Sequence, residues 1–241
     1  MAESLRSDGW PHLLLWFESN GPNGTCGRRH LIFSPDDPVA LRNALRREMR
    51  MRRRALPAFR RRIATRAILR HLQTLPAYRR AIHVALYWPA DGEPDVRGLA
   101  EHARARGKKL YLPIVGQGGT MRFGLWLRAS TLRHNRYGIP EPVGGRRRMT
   151  ATRLDLVIMP LVAFDDRGHR LGMGGGYYDR AFAGRRRRPV LAGAAFSFQQ
   201  APSVPAQPWD VPLDIIVTER GRLPKWQGRA MRKRSFNGAE Q

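Results

Sequence analysis

The chain has 241 residues, 42% of them hydrophobic, and a formal net charge of +25. That size suits one globular domain with loose ends, and no run of 18 or more apolar residues is present to cross a membrane. The apolar stretch Trp10–Phe17 lacks the basic lead-in and cleavage site of a signal peptide, and the single Cys26 excludes an internal disulfide, so a cytoplasmic protein is expected.

Residues 1–35, with GPNGTCG at 21–27 and no sustained periodicity, read as a disordered extension. Order is expected from residue 36. Asp37 is placed to cap a helix with Pro38 in its first turn. Leu41, Leu45 and Met49 then recur every four residues as its apolar face, and the other face is nearly all arginine. A second helix is expected over Ala58–Leu72, with Phe59, Ile63 and Ala67 as its stripe. Ile82–Trp88 reads as a strand, and Asp95 caps a helix reaching Arg106, stopped by Gly107. Lys109–Val115, Met121–Trp126 and Leu154–Pro160 read as further strands. A glycine loop and a helix opening at Tyr178 follow, then strands at Val190–Phe196 and Ile215–Thr218. Strands alternating with helices predict an α/β domain with a mostly parallel sheet covered on both faces. Residues 221–241 read as a basic, disordered tail.

Of the 44 basic residues only four are lysine. The arginines are spread along the chain, with clusters at 52–54, 60–62, 146–148 and 185–188, and no zinc-finger spacing or RNA-recognition signature accompanies them. The charge reads as solvated surface around a site for a polyanionic small molecule. A basic nucleic-acid-binding α/β protein is the alternative.

The stretch RLGMGGGYYDR, Arg170–Arg180, carries four glycines in five positions. It fails the Rossmann spacing, because Tyr177 stands where the third glycine belongs, and it lacks the Gly-Lys-Ser/Thr end of a Walker loop. Glycines nevertheless allow positive φ and close approach of backbone N–H groups to an anion. Arg170 is suited to phosphate oxygens and Asp179 to Mg²⁺; their bland readings are a surface residue and a helix cap. Tyr177 and Tyr178 suit either stacking on a planar ring or core packing. Glu93, in the Ala90–Asp95 stretch after a strand, is placed to accept from a heterocycle's N–H donors or to sit in an acidic turn. Tyr137–Pro142 is a rigid Pro-rich loop, and Asp210 and Asp214 flank prolines before a strand, where either suits a metal carboxylate. No histidine pair, serine elbow or nucleophilic cysteine points to covalent catalysis.

In this order, LRREMRMRRRAL (45–56), YWPADGEPD (87–95), YLPIV (111–115), YGIPEP (137–142), DLVIMPLVAFDDRGHRLGMGGGYYDR (155–180), AFSFQQ (195–200) and PWDVPLDIIVTE (208–219) resemble the 5-formyltetrahydrofolate cyclo-ligase family, also called 5,10-methenyltetrahydrofolate synthetase. The resemblance covers about residues 38–220. It implies a Rossmann-like three-layer fold similar to ribose-phosphate isomerases and CoA transferases. Those relatives also leave open a sugar-phosphate or nucleotide binder without ligase activity. The implied reaction is ATP-dependent closure of 5-formyltetrahydrofolate to 5,10-methenyltetrahydrofolate. ATP is the co-substrate and Mg²⁺ the cofactor, and the enzyme is a monomer.

By the same resemblance, Arg42 and Arg46 reach the ATP phosphates. Arg170, Leu171, Gly172, Met173, Gly174, Gly175, Gly176, Tyr177 and Tyr178 form the nucleotide loop. Trp88, Glu93, Tyr137, Gly174, Gly176 and Tyr177 contact folate, Glu93 at the pterin ring. Asp179 and Asp210 fall at the Mg²⁺ carboxylates, and Arg170, Tyr178 and Asp179 carry the catalysis. Some relatives have basic residues where this chain has Met173 and Gly175, which leaves the neutralising side chain open. Polyglutamylated folate is a further expected substrate of so basic a surface.

Overall fold

The computed structural model describes residues 19–20, 26–27, 37–143, 148–185 and 189–223. Helix α1 (Pro38–Ala55) opens as its sequence predicts. The Asp37 carboxylate accepts from the N–H groups of Val39 (2.9 Å) and Ala40 (3.0 Å), and Pro38 occupies the first turn. Helix α2 (Ala58–Thr74) is also where it is expected, but it buries a different stripe. Thr65, Ile68 and Leu72 face the core, whereas Phe59 and Ile63 are 64% and 53% exposed. The sequence offers two apolar rows on nearly opposite faces, about half a turn apart at 3.6 residues per turn, and contact with the sheet selects the one that reaches it.

A short α3 (Pro76–Arg80), unmarked in the sequence reading, leads into β1 (His83–Ala85). Asp95 accepts from Arg97 N–H at 3.0 Å and opens a 3₁₀ turn that runs into α4 (Leu99–Arg104). Gly107, at φ 68°, ends the segment. Then come β2 (Lys109–Val115), β3 (Met121–Leu125), β4 (Arg148–Met149), β5 (Leu156–Pro160), α5 (Tyr177–Phe182), β6 (Val190–Ala194), β7 (Ile215–Thr218) and β8 (Gly221–Leu223).

The strands form one sheet in the order β8-β7-β6-β5-β1-β2-β3-β4. The run β7-β6-β5-β1-β2 is parallel. Antiparallel β8 closes one edge, and β3 and β4 the other. The mostly parallel α/β sheet is therefore as expected. Its two faces follow the strand alternation. Leu156 and Ile158 of β5 pack with Ile68, Leu72, Tyr78, Leu99 and Ala103 of α2 to α4. Val157 and Met159 pack with Phe123, Leu191, Ile216 and Phe182 of α5. A third, smaller cluster joins Leu45 and Met49 of α1 to Val162, Ala163 and Leu171, so α1 is anchored across the carboxyl edge of the sheet.

Residues 221–223, expected in the basic tail, form β8 against β7. The rest of that tail lies outside the described residues. So does the expected extension before residue 37, apart from Ser19–Asn20 paired antiparallel with Cys26–Gly27. Among the described residues no helix is long and apolar enough to cross a membrane.

Candidate active site at the carboxyl edge of the sheet

Strand β1 runs on to β2 on one side, while β5 lies on its other side. The connections leaving β1 and β5 therefore diverge, which opens a crevice at the carboxyl ends of the two strands. A cavity of about 690 Å³ occupies this place. Tyr87, Trp88 and Glu93 enter it from the segment after β1, and Pro160 and Leu161 from the end of β5. Arg42, Arg46, Arg50 and Arg54 enter from α1, Tyr137 from a hairpin after β3, and Trp209 and Asp210 from the segment before β7. Arg170, Gly172 to Gly176, Met173, Tyr177, Tyr178 and Asp179 complete the wall.

The cavity collects every candidate site residue of the sequence reading except Leu171, which is fully buried beneath α1, and Asp214, whose carboxylate is instead held by Arg185 and the Leu191 N–H. It also holds residues that the reading missed. Arg50 and Arg54 continue the row begun by Arg42 and Arg46. The four stand four residues apart, so they share one helix face. That spacing is visible in the sequence, where it marks Arg50 and Arg54 only as part of the arginine-rich face of α1.

The glycine loop follows a two-residue strand, Arg170–Leu171, paired antiparallel with Ala163–Phe164, rather than β5 itself. Gly174 (φ 103°) and Gly176 (φ 63°) hold conformations that cost any other residue strain. The helix after the loop has only six residues, so side chains supply most of the loop's positive charge. Arg46 Nε donates to Gly172 O at 3.0 Å, and its guanidinium lies 3.7 Å from where a Cβ on Gly174 would stand. From the other flank, Arg180 Nη2 donates to Gly175 O at 2.6 Å and its Nε to Gly119 O at 3.1 Å. Two guanidinium groups thus flank the loop where Met173 and Gly175 carry no charge.

Arg170 and Asp179, taken singly from the sequence, are partners. Arg170 Nη2 donates to Asp179 Oδ1 at 2.7 Å, and Val211 N–H donates to the same oxygen at 3.1 Å. Arg42 Nη1 and Nη2 hold Asp210 at 2.5 and 3.3 Å. Burial acts to raise the Asp210 carboxyl, but Arg42 and the Gln207 N–H outweigh it and keep the group below its usual range. Asp179 caps no helix: it sits inside the first turn of α5 and faces Arg170.

Arg170 is buried, and its Nε has no partner among the described residues. Burial lowers its pKa and Asp179 opposes that. Arg46 has no carboxylate partner among the described residues, and burial, then Arg42, lower its pKa. The loop therefore presents concentrated, incompletely compensated positive charge to the cavity.

The opposite wall is more apolar. Trp88 packs edge-on to Trp126, with Arg97 over its ring at 4.6 Å. Tyr178 stacks on Phe182 and lies under Arg170, in keeping with core packing. Tyr177 meets Tyr137 edge-to-face, with the two hydroxyls 2.8 Å apart and Arg136 donating to the Tyr177 oxygen, so both tyrosines form the rim. Glu93 is 8% exposed, and burial pushes its carboxyl up to about 7 against the pull of Arg53. Burial and then Glu93 raise the neighbouring Tyr178 hydroxyl. No group of three or more His, Cys, Asp or Glu side chains able to hold a metal ion occurs among the described residues.

A cationic loop and an apolar crevice with one buried carboxyl thus meet at the switch point of an α/β sheet. The model of the 5-formyltetrahydrofolate cyclo-ligase family matches residues 39–219, and the chain belongs to that family. It is 35% identical over 182 residues to the 5-formyltetrahydrofolate cyclo-ligase of Haemophilus influenzae, covering 73% of this chain and 97% of that protein. It is 38% identical over 177 residues to the one of Escherichia coli K12, covering 70% and 96%. Among solved structures, the 5,10-methenyltetrahydrofolate synthetase of Aquifex aeolicus superposes with a TM-score of 0.70 at 33% identity, covering 82% of this chain and all of that one. The synthetase of Mycoplasma pneumoniae does so at 0.62 and 27%, covering 74% and 98%.

Proposed function

We propose that the protein closes 5-formyltetrahydrofolate to 5,10-methenyltetrahydrofolate at the expense of ATP. The observation that carries this reading is the union, in one cavity, of incompletely compensated guanidinium groups at the glycine loop with an apolar crevice floored by Glu93. A formamide is a poor electrophile and its oxygen a poor leaving group. Attack of the formyl oxygen on the γ-phosphorus forms an iminophosphate and releases ADP. Nitrogen 10 of the same folate then attacks the formyl carbon, loses its proton, and expels phosphate as the ring closes. Such a reaction asks the protein for positioning and charge neutralisation rather than a nucleophile. Arg170, Arg42 and Arg46 hold the phosphates along the loop, Glu93 accepts from the pterin N–H donors, and Trp88, Tyr137 and Tyr177 wall the folate.

Mg²⁺ fits as an ion carried in on the nucleotide. It usually keeps waters and phosphate oxygens and takes one or two carboxylates. The Asp179 hydrogen bonds among the described residues all run to Oδ1, which leaves Oδ2 for such an ion. Asp210 is more fully committed to Arg42. When bound, the ion neutralises phosphate charge. Asp179→Asn is expected to raise the Mg²⁺ concentration for half-maximal turnover about tenfold, the order of a lost charged contact. An activation curve superposable on that of the wild type would remove Asp179 from this role.

A second hollow of about 420 Å³ adjoins the first through Val115, Asn135 and Glu141. Arg133, His134, Arg136 and Arg148 line it. Its one acid, Glu141, is occupied by Val115 N–H (2.8 Å) and Asn135 Nδ2 (2.7 Å). This basic channel suits the anionic glutamate tail of folate. A polyglutamylated substrate is expected to show a KM several-fold below the monoglutamate at low salt, a gap that closes as salt screens it over roughly 10 Å at 0.1 M. Equal KM values at low salt would sink the assignment.

The deciding experiment is a continuous absorbance assay for methenyltetrahydrofolate with purified protein, 5-formyltetrahydrofolate and Mg-ATP. A rise that needs all three supports the reading. No rise from folded protein that binds Mg-ATP overturns it.

A further inference from the structure

Arg53 lies in the last turn of α1 and is 0% exposed. An arginine is almost never buried so completely unless its charge and donors are matched. Its Nε donates to Asp91 O at 2.8 Å, its Nη2 to Asp91 Oδ2 at 2.8 Å and its Nη1 to Leu161 O at 3.1 Å. The same Nη1 stands 3.6 Å from Glu93 Oε1. One planar group thus ties α1 to the segment after β1 and to the end of β5, the two sides of the switch point. It does not line the cavity. Its neighbours Arg50 and Arg54, which do, grip Asp91 from the same helix.

The segment that Arg53 holds is shaped for the grip. Asp91 adopts a left-handed φ of 50°, rare for a residue other than glycine. Gly92, at φ 77°, passes so close that a Cβ would stand 3.2 Å from Arg53 O. Burial acts to raise Asp91, but the hydrogen bonds from Arg50, Arg54 and Arg53 outweigh it and hold its carboxyl at about 2. It therefore stays an anionic anchor across the working range of pH.

We propose that Arg53 is a positioning residue for folate recognition: from beneath the cavity it fixes the Glu93 carboxylate against the pterin ring. This rests on the reading of Glu93 given above. Glu93 has one further tie, the Ala90 N–H donating to Oε2 at 3.0 Å. The charged and titratable groups around it are Arg50 and Arg53 from α1, Asp91 from its own segment, Tyr87 after β1 and Tyr178 from α5. Arg53 is the largest influence favouring the ionised, accepting form of Glu93 against burial. Lysine cannot replace it, because a single ammonium does not span Asp91, Leu161 and Glu93 in the plane of a guanidinium fork.

The test compares wild type, Arg53→Met and Arg53→Lys in the absorbance assay, with KM for each substrate and kcat/KM for folate measured from pH 6 to 9. Arg53→Met is expected to raise the folate KM about tenfold, the order of a lost charged contact, with the ATP KM within about twofold. Without Arg53, Glu93 titrates higher, so the acid limb of folate kcat/KM moves up by about one pH unit. Arg53→Lys retains charge, and its limb moves less. An unmoved limb with both KM values affected alike would mean that Arg53 only holds the fold together, and would overturn the proposal. Should Arg53→Met fail to fold, Arg53→Lys decides by the same two readouts. A wild-type protein that does not turn over 5-formyltetrahydrofolate would instead sink the cyclo-ligase reading itself.

Discussion

Replacing Arg170 by methionine is expected to lower kcat by about 100- to 1,000-fold, the scale seen when a preorganised group opposite developing charge is removed. The side chain is 4% exposed, and Asp179 compensates only part of its charge. Its Nε has no acceptor among the described residues, and its guanidinium lies 5.9 Å over the Tyr178 ring. On the phosphate-binding role proposed for Arg170, this Nε is the donor left for a phosphate oxygen. Because charge on the transferred phosphoryl group grows toward the transition state, the loss falls on kcat more than on KM. Arg170→Lys keeps the charge without the fork and is expected to recover only part of the rate. Leaving Asp179 unpaired also costs stability, about 3–5 kcal/mol for a broken buried pair, so thermal melts must accompany the kinetics. A folded Arg170→Met protein with kcat within tenfold of wild type would make Arg170 an anchor for Asp179 and nothing more.

The second large effect is expected at Glu93. Glu93→Gln substitutes a neutral amide for the acceptor and should raise the folate KM about 10- to 100-fold, the span of a hydrogen bond to a charged group. The ATP KM should stay nearly constant, and equal effects on both would refute a pterin-specific role. The pH dependence follows from the direction of the shift. Burial raises Glu93 from 4.5 to about 7. The folded state thus binds the proton more tightly than the unfolded chain does. Stability associated with Glu93 is present below 4.5 and is lost as pH rises to about 7. Over that window the wild type should lose about 3 kcal/mol relative to Glu93→Gln, from about 1.4 kcal/mol per pKa unit. Folate kcat/KM should rise through the same window in the wild type, as the accepting form appears, and be flat there in the variant. Parallel profiles for the two proteins would show that Glu93 does not titrate in the site.

Much of the local architecture was legible, because short-range physics writes it. Asp37 before Pro38, and Asp95 before Val96, satisfy the free N–H groups of a helical turn within three residues. Lys109–Val115 and Ile215–Thr218 form strands with the bounds that their apolar runs suggest. The short elements were not legible. The ribbon of Leu132–His134 with Pro140–Pro142 gave only a Pro-rich loop, and α3 and β4 gave no signal, because two to five residues carry too little periodicity. The buried stripe of α2 is illegible for a different reason: both of its apolar rows satisfy helical spacing, and only the sheet beneath distinguishes them.

The site divides in the same way. Glycine spacing, the tyrosine pair and the acids beside them marked the loop and Glu93 as candidates from residue types alone. Their pairing was invisible: Arg42 meets Asp210 across 168 residues of sequence, and Arg170 turns to Asp179 rather than to solvent. The α1 arginines show the limit most clearly. Arg42, Arg46, Arg50 and Arg54 belong to one row by spacing, but a row of arginines reads as a wet surface until something is placed over it. The sequence by itself determined the longer elements, the family and the residue types needed to bind phosphate and a planar ring. The tertiary structure decided which charges face the cavity, which are cancelled by partners and which, like Arg53, are buried beneath it. The physical reason is range: caps, turns and periodicity act over a few residues, whereas burial and ion pairing depend on segments that meet only when the sheet closes.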